Sequence, residues 1–401
     1  MSTALDNFLR HLAQTSEAPI GLEIDRAEGS WIYTADGRRY LDFIAGIGVS
    51  ALGHGNPAVL SAITAQAHRH LHVMVYGEYV IDVQARLAAR LAELLPASLG
   101  RIYFTNSGAE AIEGALKTAR KHTGRAGAVA FDGAYHGDTM AALALMGNAA
   151  FRAPFEPLPG PVRHLPYNDV SALDAINHTI GAVVIEPVQA EGGVRIPDRD
   201  FMTALRERCD RTGAVLIFDE VLTGFGRIGR LFAMEHFGIV PDILVLAKAL
   251  GGGLPLGAFC GRDELIGKLS RNPPLGHITT FGGHPLSCAA GLAALEAIVE
   301  GRWWEAARRA GDRIRAGVSG FGGGEIVAVR GLGLLVGIEF AQPDLAHRFV
   351  AETIARGVIV NWTLNADRVV RLAPPLTISD AEIEFGLDAM RAALEAVRAD
   401  A

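Results

Sequence analysis

Several things are scarce in this sequence. It has only three cysteines in 401 residues, Cys209, Cys260 and Cys288. They are odd in number and far apart, which argues against a disulfide framework or a zinc knuckle and points to the cytoplasm. No stretch approaches about 20 uninterrupted apolar residues, so no membrane span is expected. The opening MSTALDNFLRHLAQTSEAPI lacks an apolar core, so no signal peptide is expected either. Positive charge is in deficit, with 37 Lys and Arg against 44 Asp and Glu, and no dense basic cluster occurs. A nucleic-acid partner is therefore not expected. Internal repeats and low-complexity linkers are absent, and the loose Gly320–Gly324 stretch reads as a turn.

What is present is ordinary for a globular enzyme: half the residues are hydrophobic and a fifth are charged. The length exceeds one small core, so two domains are expected. Between 20 and 41, polar and apolar residues alternate around Glu28-Gly29 and Asp36-Gly37, which predicts a short antiparallel sheet. Helices follow near 57–71 and over 83–95, the second stopped by Pro96. His68 and His72 could share a helix face, but no carboxylate or cysteine partner is evident, so no metal is expected. Then short apolar runs alternate with helical stretches: 101–105, 127–131, 181–186, 213–220 and 242–247. That alternation predicts a parallel α/β sheet covered on both faces. After His284 comes a long alanine-rich helix, then helices at 303–317, 345–356 and 380–398, with strands at 325–329, 334–340 and 369–372. This second block reads as a smaller α+β domain.

Four constellations sit at strand ends. Lys248 closes the apolar run Asp242–Ala247 and precedes a glycine-rich turn, where open α/β sheets bind ligands. Burial lowers a lysine's pKa and makes it a nucleophile towards an aldehyde; a lysine snorkelling to solvent gives the same local pattern. Ser107, Gly108 and Ala109 open a helix after a strand, which leaves free N–H groups for a phosphate; an ordinary capped helix also starts this way. Tyr135 and His136 in AYHGDT could stack on a flat ring, or pack on the core. Asp219 ends a buried run and needs a partner, either a pyridinium nitrogen or an arginine such as Arg227. A phosphate, an aromatic ring, a pyridinium and an aldehyde coexist in pyridoxal 5′-phosphate (PLP).

The motifs NSGAEA, YHG, EPVQAEGG, FDEVLTGFGR, LAKALGGGLP, TTFGGHPLSCAAG and RLAPPL occur in that order. In this the chain resembles the class III PLP-dependent aminotransferases of fold type I, especially their acetylornithine, ornithine and ω-amino acid branches. The resemblance implies a seven-stranded, mostly parallel sheet in a large domain (51–285), a small C-terminal domain (286–401), and an N-terminal segment (1–50) joining the small domain. It implies Lys248 as the Schiff-base and proton-shuttling residue and Asp219 as partner of the pyridine nitrogen. Ser107, Gly108 and Ala109 would cradle the phosphate, with Tyr135 and Val221 on opposite ring faces. Thr280 would reach the phosphate of a neighbouring subunit, which makes a homodimer the expected unit. Arg371 would grip a substrate carboxylate, and Glu191 would neutralise it when that handle is not needed. Tyr76 or Tyr79 would come over the substrate.

Two positions depart from the pattern. Asp138 stands where many relatives carry an arginine, and Leu222 where ornithine aminotransferases have a glutamine. The expected reaction is transfer of an amino group from an ω- or α-amino donor to a keto acid such as 2-oxoglutarate or pyruvate, by a ping-pong route. A racemase, epimerase or aminomutase on the same scaffold is the alternative.

Overall fold

The computed structural model describes residues 3–399. Strands β1 (Ile24–Glu28), β2 (Trp31–Thr34) and β3 (Arg39–Asp42) form an antiparallel meander, turning where the Glu-Gly and Asp-Gly pairs lie. Seven strands then build the main sheet: β4 (Arg101–Thr105), β5 (Gly127–Phe131), β6 (Val162–Leu165), β7 (Ile180–Ile185), β8 (Val215–Asp219), β9 (Ile243–Leu246) and β10 (Gly257–Gly261). Their order is β4-β10-β9-β8-β7-β5-β6. Only β10 runs antiparallel to its neighbours; the other pairings are parallel. The five strands expected from apolar runs are all present. The other two, β6 and β10, carry no such run: β6 (VRHL) lies at the sheet edge and is half-exposed, and β10 (GAFCG) is bounded by glycines.

The central runs are continuous because both faces of the sheet are buried. Leu216 and Phe218 of β8 pack into one core cluster, while Val215 and Ile217 pack into the other. This is the period-two alternation of a strand with helices on both sides. The helix Gly108–Thr123 covers one face, against β9 and β10. The helix Pro285–Gly301 packs on Pro57–Arg69, on Asp82–Leu94 and on the turn Lys248–Gly251.

The C-terminal strands are β11 (Ile326–Leu332), β12 (Leu335–Phe340), β13 (Val358–Ile359), β14 (Asn361–Thr363) and β15 (Ala366–Leu372). They pair in the order β11-β12-β15-β14, while β13 joins β3 in parallel. The helices Trp303–Ser319, Pro343–Ala355 and Asp380–Ala399 pack around them. Among the described residues, no helix is long and apolar enough to cross a membrane, and no group of His, Cys, Asp or Glu has metal-binding geometry. His72 instead stacks on His284, with ring centroids 5.5 Å apart.

Candidate active site

A cavity of about 620 Å³ opens at the carboxyl ends of β4, β5, β7, β8 and β9. Parallel strands end in loops there, and the loops carry the polar groups. Lys248 lies two residues past the end of β9 and lines the cavity. Its backbone is left-handed, with φ +50°, a costly conformation for a side-chain-bearing residue and one that concentrates at functional sites. Among the described residues none hydrogen-bonds its amine. Burial lowers the Lys248 pKa and the charge of Arg371 adds to this, against Glu191, Asp219 and Glu186.

Asp219, the last residue of β8, is 5% exposed. Its Oδ1 accepts from the Val221 N–H at 3.0 Å, and its Oδ2 lies 2.7 Å from Nδ1 of His136. The carboxylate is thus paired with His136; Arg227, the alternative partner, donates instead to the carbonyls of Leu334 and Pro374. Burial alone would lower the His136 pKa, but the bond to Asp219 and the nearby carboxylate charges outweigh it and raise the pKa. Nε2 of His136 is buried without a partner, and the residue lines the cavity.

At the start of the helix Gly108–Thr123, Ser107 Oγ accepts from the Glu110 N–H at 3.2 Å. The Glu110 carboxylate turns back to Asn106, accepting from its N–H and its side-chain amide at 2.8 Å each. Among the described residues the N–H groups of Gly108 and Ala109 have no partner, at the positive end of a 16-residue helix. The loop is tightly built: a Cβ on Gly108 would stand 2.9 Å from Val221 Cγ2, and one on Gly137 would stand 2.5 Å from Ala109 Cβ.

Tyr135 lines the cavity, and its hydroxyl donates to Asp138 Oδ2 at 2.7 Å. Burial raises its pKa first, then that hydrogen bond. Asp138 is exposed at the cavity wall. Glu191 also lines the cavity, and its Oε1 is ion-paired to Arg371 on β15. Arg371 is 1% exposed and does not itself line the cavity, whereas its partner Glu191 does. Burial opposes ionisation of Glu191, yet Arg371 and the Leu364 N–H hold its pKa below the usual range.

Two expected contributors lie outside the cavity of their own chain. Thr280 is exposed, while its neighbour Thr279 accepts from Asn106 Nδ2 at 2.9 Å. Tyr76 is half-buried and Tyr79 is 58% exposed. Gln84 explains their placement, because its side-chain amide donates to the Val75 and Gly283 carbonyls and ties that segment to the Thr280 loop. Glu186 was not anticipated. It sits one residue past β7, lines the cavity, and accepts from the N–H groups of Tyr135 and Ala190 at 3.0 Å each. Burial pushes its pKa up to about 7. Its sequence signals are a carboxylate ending an apolar run, as for Asp219, and its place at the head of the EPVQAEGG motif.

The architecture is the type I fold of PLP-dependent transferases. An ω-transaminase of Thermomicrobium roseum superposes with a TM-score of 0.91 at 32% identity, over 98% of this chain and 97% of that one. A Toxoplasma gondii ornithine aminotransferase, with PLP partly occupying its active site, gives 0.91 at 30% identity, over 98% and 93%. The family profile for class-III aminotransferases matches residues 12–394. The acetylornithine aminotransferase of Methanosarcina mazei is 41% identical over 374 residues, 93% of this chain and 91% of that protein. Its counterpart in Streptomyces coelicolor is 43% identical over 376 residues, with the same two shares. The chain belongs to the class-III aminotransferases.

Proposed function

We propose that this cavity binds PLP and moves an amino group from an amine or amino acid to a keto acid in two half-reactions. One observation carries the reading: an amine of lowered pKa, a buried carboxylate–histidine pair and two unpartnered helix-start N–H groups line one cavity. The unpartnered His136 Nε2 and the crowded glycine loop fit a flat ligand with a phosphate at one end. When bound, the cofactor supplies an aldehyde to receive the amino group and a ring to draw off electrons.

In this reading Lys248 would hold the cofactor at its aldehyde end and would carry a proton to and from the donor carbon. Asp219, oriented by His136, would keep the ring nitrogen protonated. Ser107, Gly108 and Ala109 take the phosphate, while Tyr135 and Val221 enclose the ring. Arg371, covered by Glu191, takes an acceptor's carboxylate once Glu191 swings aside.

The active unit would be a homodimer. Supporting this are the exposed Leu71, Tyr79, Val80, Ile278 and Phe281 around the Thr280 loop, an apolar surface suited to a second copy. Thr280 and Tyr76 would then act in the neighbouring site. We assign residues 51–285 to the cofactor-binding domain, 286–401 to the small domain and 1–50 to a segment joining the latter, a division the β3–β13 pairing supports. The buried free thiols of Cys209, Cys260 and Cys288 fit the cytoplasm.

The test is spectroscopic. The protein loaded with PLP should show a visible band that amines discharge and keto acids restore. Lys248→Ala should lower amino transfer by about 10³-fold. Full activity in that variant, or inversion of single enantiomers without any keto acid, would overturn the reading.

A further inference from the structure

A second cavity, of about 410 Å³, is lined by residues of β11, β12 and β15 and of the loops after β6 and β7. It shares no lining residue with the first. Its charged residues are Arg195, Arg330, Arg368 and Glu339. Three cations face one carboxylate, so two positive charges are left uncancelled. Glu339 is already divided: one oxygen pairs with Arg330 and the other with Arg368. Arg330 also turns its Nε to the Gly193 and Val194 carbonyls, at 2.9 and 3.1 Å. The nearby Asp198 is bonded to Asn168, 2.9 Å from its Nδ2, and does not line the cavity.

Arg195 is the cation that stands apart, since no carboxylate among the described residues pairs with it. Its backbone N–H and carbonyl bond those of Gln189 at 3.0 Å each. Its guanidinium stands over the Tyr167 ring, 5.2 Å from the centroid. Nη2 donates to the Tyr167 carbonyl at 3.3 Å, while Nε and Nη1 have no partner among the described residues. Arg368, 52% exposed, meets Glu339 through Nη2 and makes no other ion pair among the described residues. A guanidinium fork that its neighbours already hold in place binds an oxyanion with little further ordering. Uncancelled charges of one sign in a concave site draw a counter-ion.

We propose that this second cavity binds a small doubly charged oxyanion, a phosphate monoester or a dicarboxylate, through Arg195 and Arg368. Either ligand presents paired oxygens to a guanidinium fork and carries two charges to match the two left uncancelled. A more highly charged ligand would meet Glu339 as a like charge. The site lies outside the amino-transfer cavity, and the inference does not rest on that reading.

The experiment is calorimetric titration of the full chain in saturating PLP, at constant ionic strength and about pH 8, where a phosphate monoester is a dianion. The titrants are glycerol 3-phosphate, succinate and, as a singly charged control, acetate. At least one dianion should bind with a dissociation constant at or below about 1 mM, and acetate at least about tenfold more weakly. The better of the two dianions names the source of the ligand. Arg195→Gln and Arg368→Gln should each weaken its binding by about tenfold, the loss of one charge-assisted contact. Arg195→Lys, which keeps the charge and loses the fork, should recover only part of that loss. Arg86→Gln removes an arginine that is 64% exposed and does not line the cavity, and should leave the affinity unchanged. Arg368 is exposed enough for its variant to keep the fold, so Arg368→Gln decides alone if Arg195→Gln does not fold. Binding of both dianions weaker than about 1 mM, or affinities in Arg195→Gln and Arg368→Gln equal to that of Arg86→Gln, overturns the proposal. No activity is read, so the result stands whether or not the amino-transfer reading holds.

Discussion

His136 Nδ1 lies 2.7 Å from Asp219 Oδ2, and neither side chain is more than 5% exposed. The pair therefore works without water, where a charge and its partner depend on each other. Asp219→Asn keeps the size and an acceptor but removes the charge. Amino transfer should fall by about 10²- to 10³-fold, the usual cost of deleting one aligned electrostatic group. Single-turnover rates measured alongside cofactor affinity check this; the rate should fall much further than the affinity.

The same pair sets a pH dependence of stability. The folded His136 pKa is raised above its ordinary 6.5. The folded chain thus holds a proton that the unfolded chain has released, and stability falls as pH rises. The contribution is complete below 6.5 and disappears as pH passes the folded pKa. The melting temperature of cofactor-free protein should drop across that window, and His136→Asn should flatten the drop relative to wild type.

Glu191 is ion-paired to Arg371 and also bears on the charge state of Lys248. The Lys248 pKa is lowered by burial and by Arg371, while Glu191 raises it. Glu191→Gln removes the opposing charge and leaves Arg371 in place, so the lysine should become neutral at lower pH. Its rate of capture of free pyridoxal, followed by absorbance across pH, should keep its shape and move to the acid side. An unmoved or alkaline-shifted profile would falsify this coupling.

The turn between β14 and β15 holds Glu191 against Arg371. Leu364 N–H donates to Glu191 Oε2 at 2.8 Å, and Asn365 N–H donates to the Glu191 carbonyl at 2.9 Å. The Asn365 amide also holds the Gly133 and Ala134 carbonyls, each at 3.1 Å, and so ties the turn to the Tyr135 loop. Asn365→Ala loses those side-chain bonds, at a cost of about 1–2 kcal/mol. With Glu191 freer to leave Arg371, KM for a keto acid should fall several-fold while kcat changes less. Steady-state kinetics with 2-oxoglutarate would show a raised KM if the turn does not hold Glu191 in this way.

The strand-end residues were legible because a charge closing an apolar run is costly and stands out. Lys248 and Asp219 follow that rule. Glu186 follows it too, at the head of the EPVQAEGG motif. The Asp219–His136 contact was not legible: it joins residues 83 apart through β5 and β8, and only the sheet order brings them together. Gln84, Leu364 and Asn365 escaped for another reason. They act on backbone carbonyls and a neighbouring carboxylate from loops or distant helices, and no periodicity marks such contacts. β10 escaped because its glycines read as loop.

One of those glycines is required by close packing. Gly257 begins β10 opposite Thr105, next to the Ser107–Ala109 turn. A Cβ there would stand 2.2 Å from the Ser107 carbonyl oxygen and 2.5 Å from Thr105 Oγ1. Backbone cannot rotate away as a side chain can, so either β10 or the Ser107–Ala109 turn must shift. Gly257→Ala should therefore cost about 1–3 kcal/mol, as overpacking does, and should disturb the unpaired N–H groups more than it disturbs Lys248. The separating measurement compares PLP with pyridoxal, which lacks the phosphate. Affinity for PLP should fall while affinity for pyridoxal changes little, so the ratio between them shrinks. An equal loss for both ligands would mean that the substitution acts on the whole cavity, and that β10 does not specifically set the phosphate turn.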